Sequence, residues 1–434
     1  MAYEPVDAVE VWIWGERAGA VALDRGVGYY AFEYDPRFRA SGIELAPLHV
    51  PLSTVQPVVF ADLPEATFRR LPAFLADALP DDFGNALINA WMARQGVGAA
   101  RITPLDRLAY MNKRAFGALE FRPARGSTRV NSTALDLTTL VESARKVLAG
   151  SLRGPTEASA ALMQIFHVGT SAGGARAKAA VAWNPRTNEL RAGQFDAPAG
   201  FEHWLLKFDG VDHDGALGDT ALYGRIEYAY HLMALEAGIA MSDCRLLEEN
   251  GRAHFMTKRF DRNVNEKRHL QSLCAMAHLD YRAKAVHAYE QLFDTMAQLS
   301  LPEADQEQAF RRMVLNVACA NCDDHPKNHA FVLDQGATWR LAPAYDITHS
   351  YRADSEWVNQ HLMSVNGRFS EIGRADCLVI AERFGVPGAR AMVDDVLAAA
   401  TRWPEHAGAA GMPRSRAAAV AADFRLASLR GRPR

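Results

Sequence analysis

From Asn321 to Asn328 the chain reads Asn-Cys-Asp-Asp-His-Pro-Lys-Asn, and beyond the next apolar run comes Ala344-Tyr345-Asp346-Ile347. Carboxylates, an imidazole, an ammonium and amides stand where a soluble chain ordinarily places a plain turn. Asp323 and Asn328 are five positions apart, the D-x-x-x-x-N spacing of phosphoryl-transfer loops. There the carboxylate accepts the proton of the attacking hydroxyl and the amide holds magnesium. Asp346 is the expected second metal carboxylate. A zinc reading is also open, because Cys319, Cys322, His325 and His329 offer four N/S donors. All four lie within eleven residues, however, whereas structural zinc sites usually part their ligand pairs by a longer loop. Cys319 also follows the apolar helical run Phe310 to Ala318, where a packed thiol is the simpler expectation. No G-x-S-x-G elbow surrounds a serine, so a Ser-His-Asp hydrolase is not expected.

A phosphoryl-transfer loop needs a nucleotide site, and the middle of the chain offers its parts. Gly169-Thr170-Ser171-Ala172-Gly173-Gly174-Ala175-Arg176-Ala177-Lys178 is small, polar and basic, so its backbone N–H groups could approach phosphate without side-chain clash. It is not a Walker A loop, since Ala175 stands where that motif requires lysine. It leads into a strand, Ala179 to Trp183, as a glycine-rich kinase flap does; a surface turn is the alternative. Lys207 ends a strand-like run, His203-Trp204-Leu205-Leu206-Lys207-Phe208, whose aromatic and aliphatic residues should bury one face and leave the lysine on the other. The amphipathic helix expected over Tyr223 to Ala237 carries Glu227, and a strand lysine with a helix glutamate is how kinases position the α and β phosphates. Next, His254 to Arg262 is extended and turns abruptly charged from Lys258. That suits either a hinge bonded to an adenine edge or a strand simply leaving its sheet.

The chain of 434 residues, 49% hydrophobic and 23% charged, can bury a large core in two or three lobes. Its net charge of −3 gives no general pull toward nucleic acid or anionic membrane. No apolar run suits a membrane span, and the start (Glu4, Asp7, Glu10) lacks a basic signal region. Five sparse cysteines point to reduced thiols, so the expected location is cytoplasmic with no membrane partner. Short strands at Val9–Trp14, Ala20–Asp24 and Tyr29–Tyr34, with a turn at Gly15–Gly19, predict a meander. Thr103-Pro104-Leu105-Asp106 is a helix start, and Gly117 to Pro123 a closing strand. The domains expected are residues 1–125, β-rich; 126–262, mixed; and 263–434, helical.

The ordered set Ser171-Ala172-Gly173-Gly174-Ala175-x-x-Lys178, Trp204-Leu205-Leu206-Lys207, Lys258-Arg259-Phe260-Asp261-Arg262, Asn321-x-Asp323-Asp324-His325-x-Lys327-Asn328 and Pro343-Ala344-Tyr345-Asp346-Ile347 resembles the HipA family. These are bacterial serine/threonine kinases, the toxins of HipBA-type toxin–antitoxin modules. Leu79-Pro80-Asp81-Asp82-Phe83-Gly84 resembles the family's N-terminal subdomain, so the likeness covers nearly the whole chain. It implies an α+β, protein-kinase-like bilobal fold with an additional N-terminal β-rich subdomain, and dependence on ATP and Mg2+. The implied partner is a HipB-like helix-turn-helix antitoxin, with DNA met only through the antitoxin complex. The implied substrate is a protein, an aminoacyl-tRNA synthetase in the members best known, whose phosphorylation inhibits translation and growth and leads to persistence.

Transferred to this sequence, the resemblance makes Asp323 the base and Asn328 and Asp346 the magnesium ligands, with Tyr345 beside them. His325 and Lys327 would lie near the ATP phosphates. Lys207 would hold the α and β phosphates with Glu227 as its orienting partner, and Gly173, Gly174, Ala175, Arg176, Ala177 and Lys178 would form the phosphate loop. Lys258, Arg259 and Phe260 would face the nucleotide from the hinge. Ser171 falls at the family's autophosphorylated serine, with Thr170 as a neighbouring hydroxyl. A small-molecule phosphotransferase and a non-catalytic antitoxin co-repressor are the alternatives.

Overall fold

The computed structural model describes residues 3–125, 135–148, 177–210, 213–214, 218–219 and 222–430. The chain forms two compact units, one of residues 1–212, 258–271 and 332–338, the other of 213–257, 272–331 and 339–434.

In the first unit an antiparallel sheet runs in the order Tyr29–Tyr34, Glu16–Asp24, Ala8–Ile13, Leu119–Arg122. Alternation sends Val9, Val11 and Ile13 into the core beside Val21, Phe32 and Phe121. The first turn is shorter than the sequence suggested. Trp14 and Gly15 alone make it, both at positive φ (47° and 84°), and the next strand begins at Glu16. Gly19 therefore lies inside a strand, where a Cβ would fall 2.1 Å from the Glu33 carbonyl oxygen.

The helix Pro104–Met111 starts where Thr103, Pro104 and Asp106 predict. Asp106 N–H donates to Thr103 Oγ1 at 3.1 Å, and the Asp106 carboxylate accepts from Thr103 N–H at 2.9 Å, a reciprocal capping box. Fully buried Asp106 also accepts from Val6 N–H at 3.0 Å and from the Tyr3 hydroxyl, pinning the N-terminal residues to the helix start. Thr103→Ala should cost about 1 kcal/mol, measured as a lower urea midpoint with unchanged slope.

Farther along, Lys178–Trp183 pairs with Leu190–Ala192 on one side and with Glu202–Lys207 on the other, all antiparallel. Every residue of Lys178–Trp183 is buried, as are His203 to Leu206. One-sided burial was expected around Lys207; instead both faces of that strand are covered and only its ends are partly open.

The second unit holds the helix Tyr223–Glu236, the hairpin Cys244–Glu249 with Arg252–Lys258, the helices Tyr289–Gln298 and Glu303–Ala318, and the helices Arg374–Phe384, Ala389–Thr401 and Trp403–Ala409. Gly224 lies where the first of these helices meets the hairpin, and a Cβ there would fall 1.9 Å from the Ala253 carbonyl oxygen. The C-terminal portion is less uniformly helical than expected, since His287–Ala288 and Met363–Ser364 pair as short parallel strands. No helix among the described residues is long and apolar enough to cross a membrane.

Candidate active site

The helix Glu303–Ala318 presents the Asn321–Asn328 stretch. Glu303 and Asp305 in its first turn suit the positive end of the helix dipole, and Ala309, Phe310, Met313, Val314 and Val317 bury one stripe at helical spacing. Ala320, at φ 53°, turns the chain off the helix. Asn321 N–H then donates to Asn316 O at 3.0 Å and Ser350 N–H to Ala320 O at 3.1 Å, so the loop leaves the helix between two clamps.

Within the loop the five-residue spacing has a physical cause. Asn328 Nδ2 donates to the Asp323 backbone carbonyl at 2.7 Å, Asn328 N–H donates to His325 O at 2.9 Å, and Pro326–Asn328 forms a single 3-10 turn. The Asn328 amide nitrogen is thus used to close the loop, and its Oδ1 is the atom suited to a cation. Asp323 has a side chain 28% exposed, with Oδ1 2.9 Å from the donating Trp357 Nε1 and 3.8 Å from His325 Nε2.

Tyr345 and Asp346 are joined to the same loop. The Tyr345 hydroxyl donates to Lys327 O at 2.7 Å, and Ala344 N–H donates to Ala240 O at 2.8 Å. Asp346 sits at φ 52°, a left-handed conformation that a non-glycine residue adopts at a cost and that recurs at functional sites. The donor set of an amide oxygen and a carboxylate fits magnesium, which takes few protein ligands and completes its shell with water and phosphate oxygens. Among the described residues no three His, Cys, Asp or Glu side chains converge as a metal cage.

Asp324, given no role by the spacing, is the anchor of the loop. Its Oδ2 accepts from the Tyr289 hydroxyl at 2.9 Å and faces His361 Nδ1 at 2.8 Å, while its Oδ1 accepts from Leu362 N–H at 2.8 Å. Tyr289 in turn accepts from Asn316 Nδ2, and Asn316 Oδ1 accepts from Asn321 Nδ2, both at 2.9 Å. All these side chains are buried. Burial alone would lower the His361 pKa, but the Asp324 carboxylate beside it holds it well above the ordinary value.

His325 and Lys327 share Tyr281, which nothing in the sequence marked. The His325 ring lies 5.4 Å from the Tyr281 ring, and Lys327 Nζ lies 5.2 Å from that ring's centroid. The zinc alternative has no support in the geometry. Cys319 Sγ packs 3.7 Å from Met233 Sδ, burial pushes its thiol well up, and His329 stands edge-on to Tyr289 with its pKa pushed down to about 4 by burial.

The basic residues expected at the nucleotide fare differently. Ser171, Gly173, Gly174, Ala175 and Arg176 lie outside the described residues. Ala177 is buried, and Lys178 is buried too rather than open at a loop, with Nζ 3.4 Å from Asp81 Oδ2. Asp81 also caps the helix Asp82–Ala93, accepting from Gly84 N–H at 2.7 Å. Lys178 and Lys207 are register partners across the antiparallel pair. Lys207 and Lys178 belong to the first unit and buried Glu227 to the second.

At the expected hinge, Arg259 is buried. Its N–H already donates to His203 O at 2.9 Å, and its buried guanidinium donates to Asp261 through Nε at 2.9 Å and a second nitrogen at 2.7 Å while covering the Phe116 ring at 4.0 Å. Lys258 Nζ donates to Glu202 at 2.7 Å. Asp261 further accepts from Arg262 at 2.7 Å and from Gly117 N–H at 2.8 Å. Burial alone would raise the Asp261 carboxyl, yet the two guanidiniums hold it well below the carboxylate range. Lys258 thus pairs with Glu202, while Arg259 and Arg262 share the buried Asp261 carboxylate.

The HipA N-terminal domain matches residues 9–122 and the HipA-like C-terminal domain residues 170–404. No curated protein matches the chain. Among solved structures, a chain of the Shewanella oneidensis MR-1 toxin–antitoxin complex of HipA, HipB and operator DNA shares the fold, with TM-score 0.63 and 16% identity over 95% of this chain and 94% of that one. The Helicobacter pylori proinflammatory kinase CtkA aligns at TM-score 0.33 and 12% identity, over 50% of this chain and 92% of its own, too weakly to argue from. Both HipA domains are matched in order, the second alone over more than half of the 434 residues, and the α+β fold expected from the resemblance is shared with a HipA complex; this chain belongs to the HipA family.

Proposed function

We propose that this chain is an ATP-dependent serine/threonine protein kinase of HipA type. The observation that carries the reading is the closed Asp323–Asn328 loop, in which the amide nitrogen of Asn328 holds the Asp323 carbonyl at 2.7 Å and Tyr345 ties the Asp346 segment to Lys327. Asp323 aligns the substrate hydroxyl and takes up its proton. Asn328 Oδ1 and the Asp346 carboxylate hold Mg2+, which when bound offsets charge on the phosphates. Lys327 and His325 steady the negative charge that develops on the transferred group, and Lys207 holds the α and β phosphates. Phosphoryl transfer asks the protein for positioning and charge rather than for covalent chemistry, and these residues supply both.

A HipB-like antitoxin is the partner proposed, because the Shewanella complex that shares this fold contains HipB and operator DNA. DNA would be met through that partner. The target proposed is a protein, an aminoacyl-tRNA synthetase by family resemblance. Incubation of the purified chain with labelled ATP, Mg2+ and cell lysate should label one protein strongly. Label found only in a metabolite would replace this reading with a small-molecule phosphotransferase, and no transfer at all would leave an antitoxin co-repressor. Ser171 is the proposed self-modification site, so Ser171→Ala should remove most label from the chain itself, and an unchanged phosphopeptide map would move the site elsewhere.

A further inference from the structure

We propose that Trp357 is a positioning residue for Asp323, holding its carboxylate in the one orientation that can meet a substrate hydroxyl; this rests on the kinase reading above. The Trp357 Nε1–H donates to Asp323 Oδ1 at 2.9 Å, whereas the nearest imidazole nitrogen, His325 Nε2, stands at 3.8 Å from that oxygen, too far for a hydrogen bond. A carboxylate on a loop and 28% exposed has rotamer freedom to lose, and a donor fixed from outside the loop removes it.

The backbone that carries the indole is fixed from outside the loop. Ser355 Oγ accepts from Trp357 N–H at 3.2 Å and from Val358 N–H at 3.3 Å, Ser355 N–H donates to Arg352 O at 3.2 Å, and Val358 is fully buried. A few residues on, His361 and Leu362 reach Asp324. One segment, residues 352–362, therefore grips both neighbouring acids, Asp324 through a buried anchor and Asp323 through the indole.

An indole N–H is a donor only, so Trp357 cannot itself accept the hydroxyl proton. Its bond fixes the carboxylate and takes no part in the proton transfer. In phosphoryl transfer, alignment of the hydroxyl matters more than the strength of the base, so fixed geometry is the larger effect.

Trp357→Phe keeps a ring in place and removes the donor. The expected result is a kcat lower by about tenfold with an unchanged KM for ATP. A kcat equal to or above that of the parent chain overturns the proposal. If the parent chain transfers phosphate and Trp357→Phe matches it, only the role of Trp357 falls; if the parent chain transfers none, the kinase reading falls and the proposal with it. Indole N–H resonances of the 15N-tryptophan-labelled protein give a second readout that does not require Trp357→Phe to fold. Asp323→Asn should displace one of the eight indole signals and leave the rest in place, and eight unmoved signals overturn the proposal.

Discussion

Asp323→Ala is expected to lower ATP-dependent phosphorylation by about 10²- to 10⁴-fold, the range a positioned general base contributes. The loop should survive the change. Its closure runs through the backbone carbonyl of residue 323, which Asn328 Nδ2 reaches at 2.7 Å, and its anchor is the buried Asp324. With 28% exposure, the Asp323 side chain itself contributes little to the core. Activity and stability should therefore separate, with labelled phosphate transfer collapsing while the thermal midpoint stays near that of the parent chain. Transfer at the parent rate by a folded Asp323→Ala protein would sink the assignment of Asp323 as base. Asp346→Ala should behave alike by removing a metal carboxylate, although relief of its left-handed backbone is not expected, since alanine gains nothing at φ 52°.

What the sequence revealed of this site is what local physics controls. The Asp323–Asn328 spacing is legible because one side chain closes a turn on its own neighbourhood, and the Thr103-Pro104-Leu105-Asp106 helix start because a capping box is complete within four residues. The supports of the site act over longer range and leave no such mark. Trp357 is 34 residues from Asp323, and Gly117, which donates to Asp261, is 144 away. In the sequence Lys178 is seen only as the end of a glycine-rich run. Only the fold brings it to Asp81, whose carboxylate offsets the buried cation. The same lesson applies to Arg259. A charged run at the end of a strand reads as an edge, and burial converts it into a closed Arg259–Asp261–Arg262 cluster.

Asp324→Ala should be the most destabilising single change in the loop, at about 3–5 kcal/mol, the usual effect of removing one partner of a buried ion pair. It would leave the buried His361 imidazole, the Tyr289 hydroxyl and the Leu362 N–H without the acceptor that now meets each of them at 2.8–2.9 Å. Urea unfolding should show a lower midpoint, and kinase activity should fall with it, because the segment carrying Trp357 is tied down through Asp324. The pH dependence gives an independent check. A histidine whose folded pKa is raised above its unfolded value of about 6.5 contributes its full stability below that pH and loses it as pH climbs through the elevated folded value. The parent chain should therefore lose stability on the alkaline side of pH 6.5 through His361. Asp324→Ala should flatten that limb, since the carboxylate that raises His361 is gone. Equal midpoints for the two proteins at neutral pH would show that the pair does not anchor the loop, and parallel pH profiles would show that Asp324 does not set the charge of His361.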